Sequence, residues 1–475
     1  MAYIGDFFRR RMFSRKRNEE AVVEDVDYAE APGRRIVMRD RARAASEQEP
    51  ALPTFRASAM DRPTAFGDRG GSQPRDLLHA RLLLRDVFTP AQPVTERGRF
   101  AGRLGVLARL IEIIEEQRSH VVIYGERGIG KTSLVHILSD IARDSRYMVV
   151  YASCGAQSRF DDIFRAILSE IPQLYLRSVS PTDVEAEGGA TLADRLPAET
   201  FDARELGNLC AQITGTRVII VLDEYDRIQN PEFRQSVAEL IKNLSDRAAR
   251  VQLILTGVAS NLQELIGYIP SIRRNVVGLP MPRLTDDEVR AMIRIGENAA
   301  GVRFEEQAIQ LVALLSNGSP YLARLLSHHS AMRGLDDGRM TVTVPDIRGA
   351  LDKIVEEAEG QVAPRTIANL AQVSGEGQAI GLAAAARAGS TPDGWFKVKE
   401  VMAHLGPNRN AQTVADDLRA LSGVDGLLQV DLDGTEPRFS FRDEALPVYL
   451  MMLNARNQMK EDAARAEPAP AAVKG

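Results

Sequence analysis

Cysteine is nearly missing from this 475-residue sequence: only Cys154 and Cys210 occur. Two thiols build no disulfide framework, and no Cys/His cluster has the spacing of a zinc site. An excess of basic charge is missing too. The formal net charge is −5, so no global positive field recruits nucleic acid, and affinity for DNA would need a local patch. No apolar run approaches the ~20 residues that cross a bilayer, and no signal-type apolar stretch opens the chain. A reducing cytoplasm is the expected compartment. Internal repeats are absent, and with 44% hydrophobic and 26% charged residues the chain is neither collagenous, coiled-coil nor wholly disordered. Its length predicts about three domains, each with room for a core.

The organisation follows from composition and periodicity. Residues 1–76 alternate charged runs with Pro, Gly, Ser and Ala and read as a disordered arm. Its one concentrated feature is Phe7-Phe8-Arg9-Arg10-Arg11-Met12-Phe13 with Arg15-Lys16-Arg17, which suits an anionic membrane surface, a nucleic acid or plain solvent. Residues 77–282 alternate apolar runs with helical patterns. The runs are Val121 to Tyr124, Tyr147 to Tyr151, Val218 to Leu222, Val251 to Thr256 and Val276 to Leu279. Short runs buried on both faces and separated by helices predict a parallel sheet in an α/β fold. Tyr175 to Thr200 is polar and Gly/Pro-punctuated, as an insertion loop would be. From Arg283 strands are no longer expected. Thr285-Asp286-Asp287-Glu288 is a capping box that opens a helical region, residues 283–360. Residues 361–456 predict a helix from Thr366 to Ala388, two more at Val398 to Leu405 and Ala411 to Leu421, and strands Leu427 to Leu432 and Arg438 to Phe441 about Asp433-Gly434. Residues 457–475 read as a disordered tail.

The strongest local signal is Gly125-Glu126-Arg127-Gly128-Ile129-Gly130-Lys131-Thr132, followed by Ser133. It follows a predicted strand and opens a predicted helix, the context a phosphate-binding loop requires. Glycines let successive N–H groups turn onto phosphate oxygens, and the helix N-terminus adds positive potential at the same point. Lys131 can reach the β- and γ-phosphates of ATP, and the Thr132 hydroxyl can ligate Mg²⁺. A second element, Val218 to Leu222, runs into Asp223-Glu224. Asp223 would hold the metal, usually through water, and Glu224 would polarise an attacking water. A carboxylate beyond the metal ligand points to hydrolysis rather than binding alone.

With these motifs the chain resembles the AAA+ and STAND branch of P-loop ATPases, notably initiator-like and transposition-helper-like members, from about Phe88 to Phe441. The resemblance implies an ATPase core, a helical lid from Arg283 and a terminal winged helix. It places a polar sensor at the end of a strand between the Asp223 strand and the lid, here Val251 to Leu255 ending in Thr256, with Ser260 and Asn261 beyond; a threonine capping its own turn is the alternative. It places an arginine finger for a neighbouring subunit at Ser271-Ile272-Arg273-Arg274, where two solvated arginines at a helix end are the alternative. Gly318-Ser319-Pro320 resembles the STAND Gly-x-Pro signature, with Arg324 a turn later. Pro320, Arg324 and Arg103 thus become candidates for the adenine side and a second sensor.

The expected winged helix carries Asp416 and Asp417 against Arg419, and its wing Asp431, Asp433 and Glu436 against Arg438. Phosphate would be repelled by that face, so packing on the ATPase or binding protein is preferred to DNA. Trp395-Phe396 reads as a core anchor. The sequence therefore predicts an ATP- and Mg²⁺-dependent conformational or assembly switch with a homo-oligomer or protein partner. A DNA-associated ATPase is the alternative.

Overall fold

The computed structural model describes residues 75–90, 92–180, 189–267, 272–373, 376–391, 394–405, 409–432 and 436–466. The basic arm, Ser271 and the Asp433-Gly434 turn lie outside the described residues.

All five predicted strands form: β1 (His120–Gly125), β2 (Tyr147–Ser153), β3 (Arg217–Asp223), β4 (Val251–Val258) and β5 (Val276–Pro280). They make one sheet in the order β2-β3-β4-β1-β5, parallel throughout. Successive strand residues face opposite sides, which divides the sheet's apolar residues between two cores. Val121, Ile123, Ile219 and Val221 pack with Leu107, Leu110, Leu134 and Ile137 from α2 (Leu104–Glu112) and α3 (Lys131–Asp144). Val122, Ile220, Leu222 and Leu253 pack with Phe164, Leu206 and Phe233 from α4 (Phe160–Ser169), α5 (Ala203–Cys210) and α6 (Pro231–Asp246). A short helix, α7 (Leu262–Ile266), follows β4. This is an α/β fold, a parallel sheet sandwiched by helices. The described ends of the expected insertion loop are tied down: Leu176 and Leu192 are buried, and Pro172 bridges to Thr191; residues 181–188 lie outside the described residues.

The helical region that the sequence predicts as a lid contains α8 (Asp286–Ala300), α9 (Glu306–Ser316), α10 (Pro320–Asp336) and α11 (Val344–Glu359). The capping box forms, with Glu288 N–H donating to Thr285 Oγ1 at 3.2 Å and Thr285 N–H to Glu288 Oε2 at 2.9 Å. Two expectations need correction. Strands do not stop at Arg283, because β6 (Arg303–Phe304) and β7 (Thr341–Val342) pair in parallel as a clip between lid helices. The first helix, α1 (Arg75–Val87), falls in the stretch assigned to the ATPase core, yet its Leu77, Ala80 and Leu84 are buried in the cluster that holds Val289 and Leu326 of the lid.

The last part contains α12 (Pro364–Leu370), α13 (Glu376–Ala388), β8 (Trp395–Phe396), α14 (Val398–Met402), α15 (Ala411–Ala420), β9 (Leu428–Asp431), β10 (Arg438–Phe441) and α16 (Leu446–Ala466). The three strands pair antiparallel in the order β8-β10-β9. The single helix expected from Thr366 is two helices, and Trp395-Phe396, read only as a core anchor, is also a strand; Phe396 is buried against Phe439 and Phe441. The tail expectation is corrected as well. Helix α16 runs on to Ala466, because Ala, Glu, Lys, Gln and Arg after Asn457 are strong helix formers and Lys460 pairs with Asp352 of α11 at 2.9 Å. Among the described residues no helix is long and apolar enough to cross a membrane.

Candidate functional site

The phosphate-type loop joins β1 to α3 at the carboxyl edge of the sheet. Gly128 (φ +71°) and Gly130 (φ +94°) take left-handed conformations that side chains resist. At Gly130 a Cβ would lie 2.7 Å from the Arg103 guanidinium. Buried Ile129 anchors the loop in the core. The Lys131 ammonium folds back and donates to the carbonyls of Gly125 (3.0 Å) and Glu126 (2.8 Å). Burial pushes this amine down to about 8, against the opposing pull of Asp226, Asp223 and Glu126. Ser133 Oγ accepts from Val94 N–H at 3.0 Å and fastens the approach segment.

Four elements converge on Asp223, which is 3% exposed at the end of β3. Its Oδ2 accepts from the Thr132 hydroxyl at 2.8 Å and from the Tyr151 phenol at 2.5 Å. Its Oδ1 accepts from the Thr256 hydroxyl and from Glu224 N–H, the latter at 2.9 Å. The sequence thus names Thr132, Asp223 and Thr256 separately, and the fold brings them into one network. Thr256 is wholly buried with its hydroxyl directed at Asp223. Glu224 stands in a left-handed conformation (φ +55°), and its carboxylate is held by Arg227 at 2.7 Å and Ser153 at 3.3 Å.

Charged groups from the lid and its approach surround the loop. The backbone of Arg103 is left-handed (φ +55°), with its N–H on Glu288 Oε1 at 2.6 Å. Its buried guanidinium donates to the carbonyls of Ile129 and Pro282, the second at 3.1 Å, and burial lowers it to about 10. Arg103 therefore braces the loop from beneath. Arg283 grips Glu126 with two hydrogen bonds (2.9 and 2.6 Å) and donates to the Asn317 carbonyl at 2.8 Å. Asn317 precedes Gly318-Ser319-Pro320, where Pro320 opens α10 and Ser319 caps it. The next residue, Tyr321, faces Gly128. Arg324 reaches the carbonyls of Thr89 and Gln92, at 3.4 and 3.3 Å, on the approach segment. At the loop's tip Arg127 pairs with Glu444 at 3.1 Å.

Arg273 and Arg274 are exposed just before β5. Because His120 is in register with Val276, they sit at the amino edge of the sheet. The phosphate loop leaves the other edge, about five residues or ~17 Å along the strand. The fold does not bring them to this chain's own loop.

Tyr151, Arg227 and the grip of Arg283 on Glu126 were missed in the sequence. None lies in a motif: Tyr151 is an ordinary strand aromatic, and Arg283 marks only the lid boundary. Tyr151 and Arg283 owe their roles to contacts distant in sequence, which no local pattern carries, while Arg227 pairs with Glu224 only three residues away.

The glycine turn, the buried amine and the hydroxyl–carboxylate pair suit a nucleotide triphosphate with its cation. Phosphate oxygens can replace the two carbonyls on Lys131, and Thr132, while donating to Asp223, keeps lone pairs for a metal. Fold and site together define a P-loop nucleotide-binding protein of the α/β class. Residues 114–266 match the family described as AAA domain. No curated protein matches the chain. Among solved structures, it is similar to Cdc6p from Pyrobaculum aerophilum at 15% identity and a TM-score of 0.41, over 79% of this chain and 98% of that one. A Walker-type ATPase of Pyrococcus abyssi is 15% identical with a TM-score of 0.45, over 77% and 99%. The ORC1 protein of Aeropyrum pernix, solved in complex with DNA, is 17% identical with a TM-score of 0.40, over 79% and 98%. The DNA there is a property of that protein.

Proposed function

We propose that the chain hydrolyses ATP and uses its nucleotide state to switch conformation or assembly. The observation that carries the switch is the bonded path Glu126–Arg283–Asn317, which runs from the phosphate loop to the turn that opens α10. In this reading Gly125 to Ser133 cradle the phosphates, and Lys131 leaves its two carbonyls to meet them. Thr132 and Asp223 hold Mg²⁺, which when bound neutralises charge on the phosphates. Glu224, released from Arg227, accepts a proton from the attacking water. Thr256 orients Asp223 as the strand-end sensor. Arg103 positions the loop, while Pro320 and Arg324 shape the adenine side and the lid. Arg273 or Arg274 serves a neighbouring subunit, since neither reaches its own loop.

The decisive variant is Glu224→Gln, which keeps size and hydrogen bonding but not the charge. ATP affinity should stay within a few-fold while turnover falls by roughly 10²-fold or more. Hydrolysis at the parental rate would sink the assignment.

A second reading, a DNA-associated ATPase, draws on the last part of the chain. The order α13, β8, α14, α15 and the β9–β10 pair supports reading this part as a winged helix, a fold often used on DNA. An acidic α15 does not exclude such a partner. Salt-dependent DNA binding that strengthens with ATP would favour this reading. ATP-dependent oligomers indifferent to DNA would favour the first.

A further inference from the structure

Tyr151 lies in no motif, yet its side chain reaches the centre of the site. It stands in β2 two residues before Ser153, which is in register with Asp223. A diagonal neighbour at that spacing is within reach of an aromatic side chain. Its phenol donates to Asp223 Oδ2 at 2.5 Å, the oxygen that also accepts from Thr132. The ring stacks on His136, with centroids 5.4 Å apart and planes inclined by 22°. His136 follows Thr132 by one helical turn on the same face of α3. The helix that carries the phosphate loop thus also pins the tyrosine.

An ionised carboxylate offers about four lone-pair positions. On Asp223 all are engaged: Thr256 and Glu224 N–H on one oxygen, Thr132 and Tyr151 on the other. Thr132 can donate its proton and still present lone pairs to a cation. Asp223 can ligate one directly only by losing a donor. Thr132 belongs to the phosphate loop, the Glu224 N–H to the turn that follows Asp223, and Thr256 to the neighbouring strand β4; the phenol comes from β2, and its hydroxyl can be removed with the ring left in place.

We propose that Tyr151 is a positioning residue that occupies the last acceptor position of Asp223 and keeps that carboxylate's contact with the nucleotide-bound cation water-mediated. This rests on reading the site as a Mg²⁺–nucleotide site. Tyr151→Phe keeps the ring on His136 and leaves Asp223 oriented by three donors, but opens one lone pair to the cation. Mn²⁺ is the probe, because it accepts carboxylate ligands and is paramagnetic.

The experiment titrates Mn²⁺ into the full chain with ADP, read by electron paramagnetic resonance. Nucleotide binding without metal, in EDTA, verifies that the variant is folded. Tyr151→Phe should retain Mn²⁺ several-fold more tightly than the parent, and broadening by isotope-labelled water should reveal one bound water fewer. Equal or weaker Mn²⁺ binding with the same number of waters would overturn the proposal. Should the variant not fold, the parent decides. With aspartate labelled at its carboxyl carbon, weak coupling to Mn²⁺ supports a water-mediated contact, and strong coupling means direct ligation and refutes it. A parent that retains no Mn²⁺ with ADP would instead remove the site reading itself, and the proposal with it.

Discussion

Arg283→Met tests whether the phosphate loop and lid are joined as the contacts imply. The guanidinium grips Glu126, and the two side chains are 26% and 19% exposed. Such a pair lies between the surface limit, under about 1 kcal/mol, and the buried limit of about 3–5 kcal/mol. The larger effect should fall on ligand binding. Without Arg283, an uncompensated carboxylate remains inside the loop that must receive a triphosphate. At about 8 Å and an effective dielectric near 20, one such charge repels a phosphate charge by about 2 kcal/mol, roughly thirtyfold in affinity. Calorimetry should therefore find ATP binding weakened by that order in Arg283→Met. Glu126→Gln, which leaves the Arg283 guanidinium as a lone positive charge, should strengthen binding rather than weaken it, and the double variant should regain most of the loss, since no lone charge is left. Lid motion would still be uncoupled in the double variant, visible as lost protection from amide exchange at the Asn317–Pro320 turn. If the double variant binds ATP as weakly as Arg283→Met, the electrostatic account is wrong. If neither single variant differs from the parent, the clamp has no part in binding.

Lys131→Ala should abolish tight ATP–Mg²⁺ binding, and unaltered calorimetric affinity would refute the loop assignment. The depressed amine also gives a pH signature. Its folded value of about 8 lies below the ordinary 10.5, so the unfolded chain binds more protons between those values and stability should rise with pH across that window. The slope should be missing from Lys131→Ala, and in the parent ATP binding at pH above 8 should take up a proton, measurable by calorimetry in buffers of different ionisation enthalpy. Alanine at the effective finger, Arg273 or Arg274, should spare ATP binding but lower turnover by roughly 10³-fold or more, with partial recovery when mixed with Lys131→Ala. No loss in either variant would return both to the surface.

The sheet was legible because each of its strands is an apolar run buried on both faces, so hydrophobicity alone located it. The glycine-rich turn between β1 and α3 was legible because its glycines and lysine fall within seven residues, between an apolar run and a helical pattern. Shorter elements were not: β6 and β7 have two residues each and gain their pairing from helices packed around them. Helix α1 was misassigned because an amphipathic stripe reveals that a face is buried, not which neighbour covers it. In the site, Asp223 was legible at the end of its strand, but three of its donors reach it from residues far away in sequence.

The lid and the last part of the chain share one apolar core, in which α16 lies along α11. In the proposed switch they would move as a single arm. Helix α16 has 21 residues, about 30 Å at 1.5 Å per residue. A turn of about 10° at one end of such an arm displaces the other by about 5 Å. In the proposed switch, the grip of Arg283 on Glu126 would act at the short end of that lever, and a small change at the phosphate loop would become a displacement that a partner surface could sense.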